Sequence, residues 1–269
     1  MKILCYANLK GGTGKSMLCY NMAGVIAEGM RDKKKKQPKR ICVIDVDPQG
    51  NTTNNFGVDR LKPGLRTIVD VFENNIPADE VIIKTNTPGV SIIPGNLNLT
   101  ATEVRIVNRA GREHILKYWL LDNKDYLEQH FDYIMFDTPP SFNILCQNVY
   151  IVCDSIVLVN DVSMNSIEGS EQFCALWRAI RLELRLGDNV AAFLINNLDK
   201  RIGMSKDYGE YLKRHQEFGG MVLKSIIPND VRMKETELES KTINYHDHKC
   251  RGYVACKSLE EELYVRGIL

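Results

Sequence analysis

The sequence has little of several features that would assign a protein to a specialised class. None of its eight cysteines stands in a Cys-x-x-Cys pair, so neither a zinc ribbon nor an iron–sulfur site is indicated. No apolar stretch reaches the ~18 residues that a membrane-spanning helix needs. Charge of one sign is not in excess either, since the formal net charge is +1. Any nucleic-acid binding would therefore require a local basic patch rather than the field of the whole molecule.

The cysteines fit reduced thiols in a cytosolic protein better than a disulfide framework. Cys5, Cys42 and Cys153 lie in or beside apolar runs that are typical of buried strands, and Cys19 and Cys174 lie in helical patterns. The apolar run at the start of the sequence is short and leads directly into a glycine-rich loop, which argues against a signal peptide. We therefore expect a soluble, cytoplasmic protein.

What the sequence does contain is an alternation of short apolar runs with helical patterns. With 269 residues, 44% of them apolar, the chain can bury an ordinary core in a single domain that spans residues 1–269. The apolar runs are β-branched and lack polar alternation, as in strands buried on both faces. This pattern predicts an α/β fold with a mostly parallel, twisted sheet and helices on both faces.

The bounds of these elements follow from the same periodicities. The predicted strands cover residues 3–8, 40–45, 90–94, 133–137, 155–160, 190–196 and 222–227. The predicted helices cover residues 15–30, 67–73, 101–107, 115–130, 142–152, 166–186, 206–216 and 258–265.

The strongest motif is a glycine-rich loop between the first predicted strand and the first predicted helix. It reads Lys10-Gly11-Gly12-Thr13-Gly14-Lys15-Ser16. Backbone N–H groups converge on phosphate oxygens only where Cβ atoms do not obstruct, which explains the glycines, and the helix N-terminus adds a positive dipole. The motif predicts a P-loop NTPase that binds ATP, with Lys15 on the β- and γ-phosphates and Ser16 on Mg²⁺. Thr13 and Met17 are further predicted nucleotide contacts.

Carboxylates end two of the predicted strands. Asp45 and Asp47 follow each other at a spacing of two, which places both on one face at the sheet edge where open α/β sheets bind ligands. Asp137 ends the strand at 133–137, which is the Walker B arrangement. Such carboxylates bind Mg²⁺, often through water, or orient an attacking water. A structural role in the turn is the alternative for Asp47.

These motifs resemble those of the deviant Walker A ATPases, a family that includes ParA, MinD and the nitrogenase iron protein. Lys10 matches the family's additional lysine at the start of the loop. The resemblance implies that Lys10 contacts the nucleotide of a partner subunit across an ATP-bound dimer. It also implies that Asp47 positions the hydrolytic water and that Asp45 supports Mg²⁺ or Lys15.

Four further segments are similar to the ParA/Soj branch and extend the match from the first predicted strand to the last predicted helix. They are residues 93–103, 165–169, 197–201 and 227–232, which read IPGNLNLTATE, NSIEG, NLDKR and IPNDVR. The resemblance implies a Mg²⁺-dependent ATPase that dimerises on ATP and drives plasmid or chromosome partition. Its expected partners are non-specific DNA, which would bring the ATP-bound form to the nucleoid, and a ParB-like protein that stimulates slow hydrolysis. No helix-turn-helix precedes the first strand, so the short form of the family is expected.

The turn at residues 227–232 bears on recognition of the base. In the family this turn contacts adenine, which implies contacts from Pro228 and Asp230. Asp230 stands where the family usually has Asn, and a carboxylate accepts hydrogen bonds without donating them. Asn196, at the end of its predicted strand, is a second candidate for the base edge, although an asparagine there also suits a turn.

Cations near two of these segments form the candidate DNA-binding surface. Arg201 and Arg232 match arginines that the resemblance implicates in DNA binding, and Lys200 and Lys234 lie beside them. Phosphate contacts need only exposed cations in a patch. The glutamates between residues 235 and 239 would weaken such a surface. The lysine run within residues 31–40 is either a solvated connecting loop or a further phosphate-binding patch.

Three other functions were compared with this one. A positioning ATPase for a protein cargo would keep the same nucleotide site. A MinD-like membrane regulator would end in a basic amphipathic helix, whereas residues 260–262 are three glutamates. An iron–sulfur carrier is disfavoured by the lack of paired cysteines. His246 and His248 flank an aspartate, but no helix spaces them as metal ligands, so we expect them in a surface loop.

Overall fold

The computed structural model describes residues 1–29, 31–32, 35–36, 38–199 and 205–269. Its strands are β1 (Lys2–Ala7), β2 (Arg31–Asp32), β3 (Lys35–Lys36), β4 (Ile41–Asp45), β5 (Ile83–Lys84), β6 (Val90–Ile93), β7 (Tyr133–Asp137), β8 (Ser155–Asn160), β9 (Val190–Leu198) and β10 (Val222–Pro228). Eight of them form one sheet in the order β10-β9-β8-β1-β7-β4-β6-β5, and β2 pairs with β3. Every pairing in the large sheet is parallel except that of β5 with β6. The predicted α/β fold with a mostly parallel sheet is therefore confirmed.

Helices connect the strands on both faces of the sheet. They are α1 (Lys15–Glu28), α2 (Asn51–Asn55), α3 (Ile68–Asn74), α4 (Ala78–Val81), α5 (Leu99–Ile106), α6 (Ile115–Asp122), α7 (Lys124–His130), α8 (Ile144–Val152), α9 (Met164–Glu183), α10 (Ser205–Arg214), α11 (Val231–Glu239), α12 (Ile243–His246) and α13 (Arg251–Val265). A short 3-10 turn at Arg112–His114 precedes α6. Among the described residues, none of the helices combines the length and apolarity needed to cross a bilayer.

The two faces of the sheet bury separate apolar clusters. Along β1, Leu4 and Tyr6 pack with residues of α1 and α13 on one face. Cys5 and Ala7 pack on the other face with residues of α6, α8 and α9. Because both faces of β1 are buried, its residues need no polar alternation, as the sequence indicated. All eight cysteines are free, and Cys250 alone among them is partly exposed, in agreement with the expected reduced thiols.

Two predicted helices have different bounds in the structure. The helix expected at 115–130 is divided into α6 and α7 at Asn123, whose backbone leaves the helical conformation. The Asn123 side chain accepts a hydrogen bond from Ala78 N (2.8 Å) and donates one to Trp119 O (2.9 Å). This competition for backbone groups ends α6. The helix expected at 258–265 begins earlier, at Arg251, where Cys250 caps it by accepting from Tyr253 N.

The segment after β10 is more helical than the sequence indicated. α11 was not predicted, because its pattern is dominated by charged residues, and Asp230 initiates it as an N-cap. The prediction of a surface loop is wrong for His246, which ends α12 and has only 7% of its side chain exposed. Its ring nitrogens lie 3.2 Å from Glu235 and 3.3 Å from Glu239. The two carboxylates explain why a polar side chain is buried there.

Candidate functional site

The glycine-rich loop lies at the carboxyl end of β1, between β7 and β8. Gly12 and Gly14 have φ angles of 78° and 86°, the left-handed region in which a side chain is strained. Gly14 is also the N-cap of α1, and no side chain caps this helix. The first-turn N–H groups of α1 therefore face the loop without a side-chain acceptor, as an anion site requires.

Asn196 braces this loop from the end of β9. Its side chain is fully buried, and Nδ2 donates to Thr13 O at 2.7 Å. A Cβ at Gly14 would lie 2.3 Å from the same Nδ2, so only glycine permits this contact. The sequence had suggested Asn196 as a contact to the base, and its role as a support for the loop was missed. Thr13 Oγ1 and Asn196 Oδ1 are buried without a partner among the described residues.

Lys15 points back over the loop that precedes it. Only 5% of the residue is exposed, and Nζ donates to Lys10 O at 3.2 Å. Burial lowers the pKa of Lys15, and the negative charges of Asp137 and Asp47 offset part of that shift. A buried ammonium group that points back over a glycine-rich loop is suited to binding the phosphates of a nucleotide.

Asp137 lies at the centre of the site. It ends β7 and stands in register with Asp45 on the neighbouring β4. Its Oδ2 accepts a hydrogen bond from Thr52 Oγ1 at 2.7 Å, whereas Oδ1 is buried without a partner among the described residues. Burial raises the pKa of Asp137 to about 6, although hydrogen bonds from Thr52 and Ser16 lower it. A buried oxygen that no described residue engages is suited to a bound ligand or metal ion.

Asp45 has a different set of partners. Oδ1 accepts from Asp47 N at 3.1 Å, and Oδ2 accepts from the N and Oγ1 of Thr53 at 2.8 and 2.7 Å. Burial and the charge of Asp137 raise the pKa of Asp45 to about 8. Both oxygens are thus engaged by the loop that follows β4. Asp45 therefore holds that loop in place, and the role of Thr53 in this was not visible in the sequence.

Asp47 is held in the tight turn at the start of that loop. Its Oδ1 accepts from Gln49 N at 2.8 Å, and its backbone O accepts from Gly50 N at 2.9 Å. The residue is 9% exposed, so its carboxylate is at the surface of the site rather than deep within it. It is close enough to Lys15 for their charges to interact. The predicted structural role and a role in orienting water are both compatible with this position.

The donor set fits a magnesium ion that is bound together with nucleotide phosphates. Mg²⁺ is usually held by a hydroxyl, one or two carboxylates, waters and phosphate oxygens. Ser16 and Asp137 lie within hydrogen-bonding distance of each other, and Asp137 has an oxygen to spare. Among the described residues, no three His, Cys, Asp or Glu side chains converge as a metal site of their own. The phosphates would therefore have to complete the coordination.

Lys10 points away from Lys15, towards the start of α9. Its Nζ lies 2.7 Å from Asp161 Oδ2 and 2.9 Å from Ser163 Oγ. The pKa of Asp161 is lowered, because the hydrogen bond and charge of Lys10 outweigh burial, which acts in the opposite direction. Asp161 was not among the predicted site residues, although it directly follows the predicted strand 155–160.

The turn after β10 explains the departure of Asp230 from the family pattern. Asp230 Oδ1 accepts from Arg232 N at 3.1 Å, and Oδ2 accepts from Gly252 N at 2.9 Å. A carboxylate can accept at both positions, whereas an asparagine amide would present a donor at one of them. Pro228 lines a groove of about 370 Å³ that combines apolar side chains, such as Leu198 and Val254, with the cationic side chains of Lys249 and Arg251. A flat apolar ring such as a base would fit such walls.

The candidate DNA surface is only partly described. Arg201 and Lys200 lie outside the described residues, as do Lys33 and Lys34 of the lysine run. Arg232 is 55% exposed, and its Nη1 contacts Glu235 Oε2 at 2.9 Å, with Asp247 Oδ2 3.8 Å from Nε. Lys234 is exposed. The arginine that the resemblance suggested for DNA is thus paired with carboxylates.

Comparison with known proteins identifies a family model and two relatives that this chain matches. A family model described as AAA domain matches residues 1–187. The chain is 27% identical over 266 residues to the sporulation initiation inhibitor protein Soj of Bacillus subtilis, covering 99% of both chains. It is also 27% identical over 268 residues to the chromosome partitioning protein ParA of Caulobacter vibrioides, covering 99% of this chain and 95% of the relative.

The fold has close counterparts among solved structures. Cobyrinic acid a,c-diamide synthase from Mycobacterium smegmatis, with a bound ATP analog and magnesium, aligns with a TM-score of 0.81 at 23% identity. The alignment covers 100% of this chain and 96% of the other. At this identity the likeness concerns the fold, in which the P-loop follows the first strand of the sheet.

Proposed function

Since this chain belongs to the AAA domain family, on its Soj/ParA branch, we propose that it is a Mg²⁺-dependent ATPase that drives plasmid or chromosome partition. The ATP-bound form is a dimer that binds DNA non-specifically on the nucleoid and responds to a ParB-like partner. The observation that carries this proposal is the P-loop with two lysines in different surroundings: Lys15 is inside the site, and the ammonium group of Lys10 contacts Asp161 just before α9. Relatives named for chromosome partitioning along the whole length support it.

Nucleotide binding rests on the loop and the start of α1. The N–H groups of residues 11–16 surround the phosphates, with Thr13 and Met17 beside them, and Lys15 neutralises part of their charge. Ser16 and Asp137 hold Mg²⁺, which supplies charge stabilisation on the phosphates. Pro228 contacts the face of the base. Asp230 is engaged by two backbone N–H groups, so we assign it to the shape of the turn rather than to the base.

Hydrolysis requires a positioned water and a second positive charge. Asp47 accepts a proton or hydrogen bond from the attacking water, and Asp45 fixes the turn that carries Asp47 through its bond to Asp47 N. Lys10 leaves Asp161 and reaches the nucleotide of the partner subunit, where it stabilises the charge that develops on the transferred phosphoryl group. Turnover is slow without the dimer because the water and the second lysine come together only there.

DNA binding in this proposal uses exposed cations. Arg232 and Lys234 contribute on α11, and Arg201 and Lys200 complete the patch. Each phosphate contact adds to a salt-dependent affinity that ignores sequence. A positioning ATPase for a protein cargo is the second candidate function, and the carboxylates that pair with Arg232 favour it, because they lower the positive potential of this surface.

A titration of DNA binding tests the proposal. The protein is measured with ADP and with a non-hydrolysable ATP analogue, each with Mg²⁺ and at two salt concentrations. We expect binding only with the triphosphate form, weakening steeply with salt. Equal or absent binding in both nucleotide states would contradict a DNA-partition role and favour a protein cargo.

The trans lysine is tested separately. Lys10→Ala should bind ATP as the unchanged protein does but lose hydrolysis by roughly 10³-fold, the effect of removing a charge that acts in the manner of an arginine finger. Unchanged turnover would rule out its action across the dimer.

A further inference from the structure

Helix α9 makes an unusually close contact with the start of the P-loop. At Gly169 an added Cβ would lie 2.5 Å from Asn8 Oδ1 and 3.1 Å from Lys10 N. Real Cβ atoms do not approach other heavy atoms to 2.5 Å, so any side chain at this position would have to displace Asn8, Lys10 or the helix. The only residue that permits the observed packing is therefore glycine.

Asn8 has no freedom to move aside. It is 2% exposed, and its Nδ2 lies 3.0 Å from Val159 O and from Asn160 Oδ1. The same nitrogen lies 3.1 Å from Ser166 O and Ser170 Oγ on α9. The side chain is thus fixed to the end of β8 and to two turns of α9. A displacement of Asn8 would leave buried polar groups without partners, which is costly.

Both the backbone and the side chain of Lys10 are held by neighbouring hydrogen-bond partners. Its backbone N–H donates to Asn8 Oδ1 at 2.8 Å. Its ammonium group contacts Asp161 and Ser163, which lead into α9. Lys15, in contrast, belongs to α1, and the loop before it is braced by Asn196 from β9. The two lysines of the loop are therefore supported from different elements, although Lys15 Nζ also donates to Lys10 O at 3.2 Å.

We propose that Gly169 is a positioning residue for Lys10: through Asn8 it sets the backbone from which the trans lysine extends. This rests on the proposed function, in which Lys10 acts on the partner's nucleotide. Gly169 touches no nucleotide itself. A methyl group there moves the start of the loop and misdirects Lys10, while residues 13–16 of the phosphate-binding loop keep the support that Asn196 gives through Thr13.

The test compares Gly169→Ala with a matched control. Gly209→Ala also replaces a glycine inside a helix, and its Cβ would meet no described atom within 4 Å. Alanine favours helices over glycine in both, so helix propensity cannot explain a loss. For Gly169→Ala we expect the affinity for a fluorescent ATP analogue to stay within about twofold, while turnover falls on the order of 10- to 100-fold. Gly209→Ala should leave both unchanged.

A double-mutant cycle shows whether Gly169→Ala lowers turnover by displacing Lys10. If it does, Gly169→Ala adds nothing to the loss already caused by Lys10→Ala. Losses that multiply would overturn the proposal, because Gly169 would then act elsewhere. Full turnover in Gly169→Ala, with Lys10→Ala inactive, would also overturn it but leave the proposed function intact. Full turnover in Lys10→Ala would remove the proposed trans action and this inference together.

A second variant covers the case in which Gly169→Ala does not fold. Asn8→Ala deletes the acceptor of the Lys10 N–H without overpacking α9. We expect the same pattern, with nucleotide affinity retained, turnover reduced and no further loss when Lys10→Ala is added. Reduced nucleotide affinity with unchanged turnover at saturation would contradict the proposal, because it would place the effect on binding and not on Lys10.

Discussion

Carboxylates occupy two contrasting regions of this protein. At the nucleotide site Asp45 and Asp137 are fully buried, and burial raises the pKa of both. At the surface of α11 the carboxylate of Glu239 is exposed, and hydrogen bonds from His246 and Lys241 lower its pKa. Burial thus disfavours the ionised carboxylates at the nucleotide site, whereas neighbouring hydrogen-bond donors favour the ionised carboxylate of Glu239.

The difference follows from what each region is built to hold. The buried carboxylate of Asp137 has an oxygen without a partner among the described residues, so it is suited to Mg²⁺ that binds together with a nucleotide. On α11, ion pairs with Arg232 and Lys241 offset part of the charge of Glu235 and Glu239, and water screens what remains. Large effects of substitution are therefore expected at the first region and small ones at the second.

The largest effect is expected at Asp47. Asp47→Ala removes the carboxylate that orients water, while leaving Asp45 and the phosphate loop in place. Turnover should fall by about 10²- to 10⁴-fold, the range for a lost general base, and ATP should accumulate in a stable dimer. Single-turnover hydrolysis and light scattering at saturating ATP measure both. A monomer under these conditions, or unchanged hydrolysis, would show that Asp47 serves only the turn.

An intermediate effect is expected from the titration of Asp137. Because its folded pKa of about 6 lies above the ordinary 3.8, the folded state binds the proton more tightly than the unfolded chain. Stability without nucleotide should therefore fall as pH rises from about 4 to about 6, and Asp45 should extend the fall to about pH 8. Asp137→Asn should stabilise the nucleotide-free protein at pH 8 by roughly 3 kcal/mol, the free energy that corresponds to the difference between the two pKa values.

Thermal unfolding at pH 5 and pH 8 measures this dependence. Asp188→Asn is the control, because the side chain of Asp188 is 58% exposed. If Asp137→Asn changed the melting temperature equally at both pH values, the buried ionisation would not be the cause.

The smallest effect is expected on α11. Glu235→Gln removes the negative charge that pairs with Arg232. An exposed ion pair of this kind contributes about 0.2–1 kcal/mol. Affinity for DNA in the ATP state should rise by roughly two- to fivefold, since a free guanidinium group can contact phosphate. Glu73→Gln, which disrupts the exposed pair with Arg105, is the control. A decrease on Glu235→Gln would indicate that the network shapes the surface and that Arg232 does not itself bind DNA.

Much of the site was predictable because its signals are local. The glycines, Lys15 and Ser16 act within a few residues of one another, so spacing alone indicates their geometry. Asp137 was predictable because a carboxylate after an apolar strand lies at the ligand-binding edge of a parallel sheet. The helix α11 was not predictable from periodicity, because its stability comes from the Asp230 cap and from packing on α1.

Long-range contacts account for the rest. Asn196 meets Thr13 across 183 residues, and Asn8 meets Ser170 across 162. A single sequence does not reveal which distant residues fill a gap next to a glycine. For this reason the bond from Asn196 to Thr13 was not foreseen when Asn196 was named as a second candidate for the base edge, and Asp161 was not among the predicted site residues.

By itself the sequence determined the parallel α/β architecture, the P-loop and the acidic strand ends, because hydrophobic periodicity and glycine spacing act locally. Only the tertiary structure decided which distant groups contact those parts. Asn196 braces the loop at Thr13 and Gly14, the start of α9 contacts Lys10, and carboxylates pair with Arg232. The physical reason is that close packing and hydrogen-bond satisfaction depend on atoms brought together from distant segments.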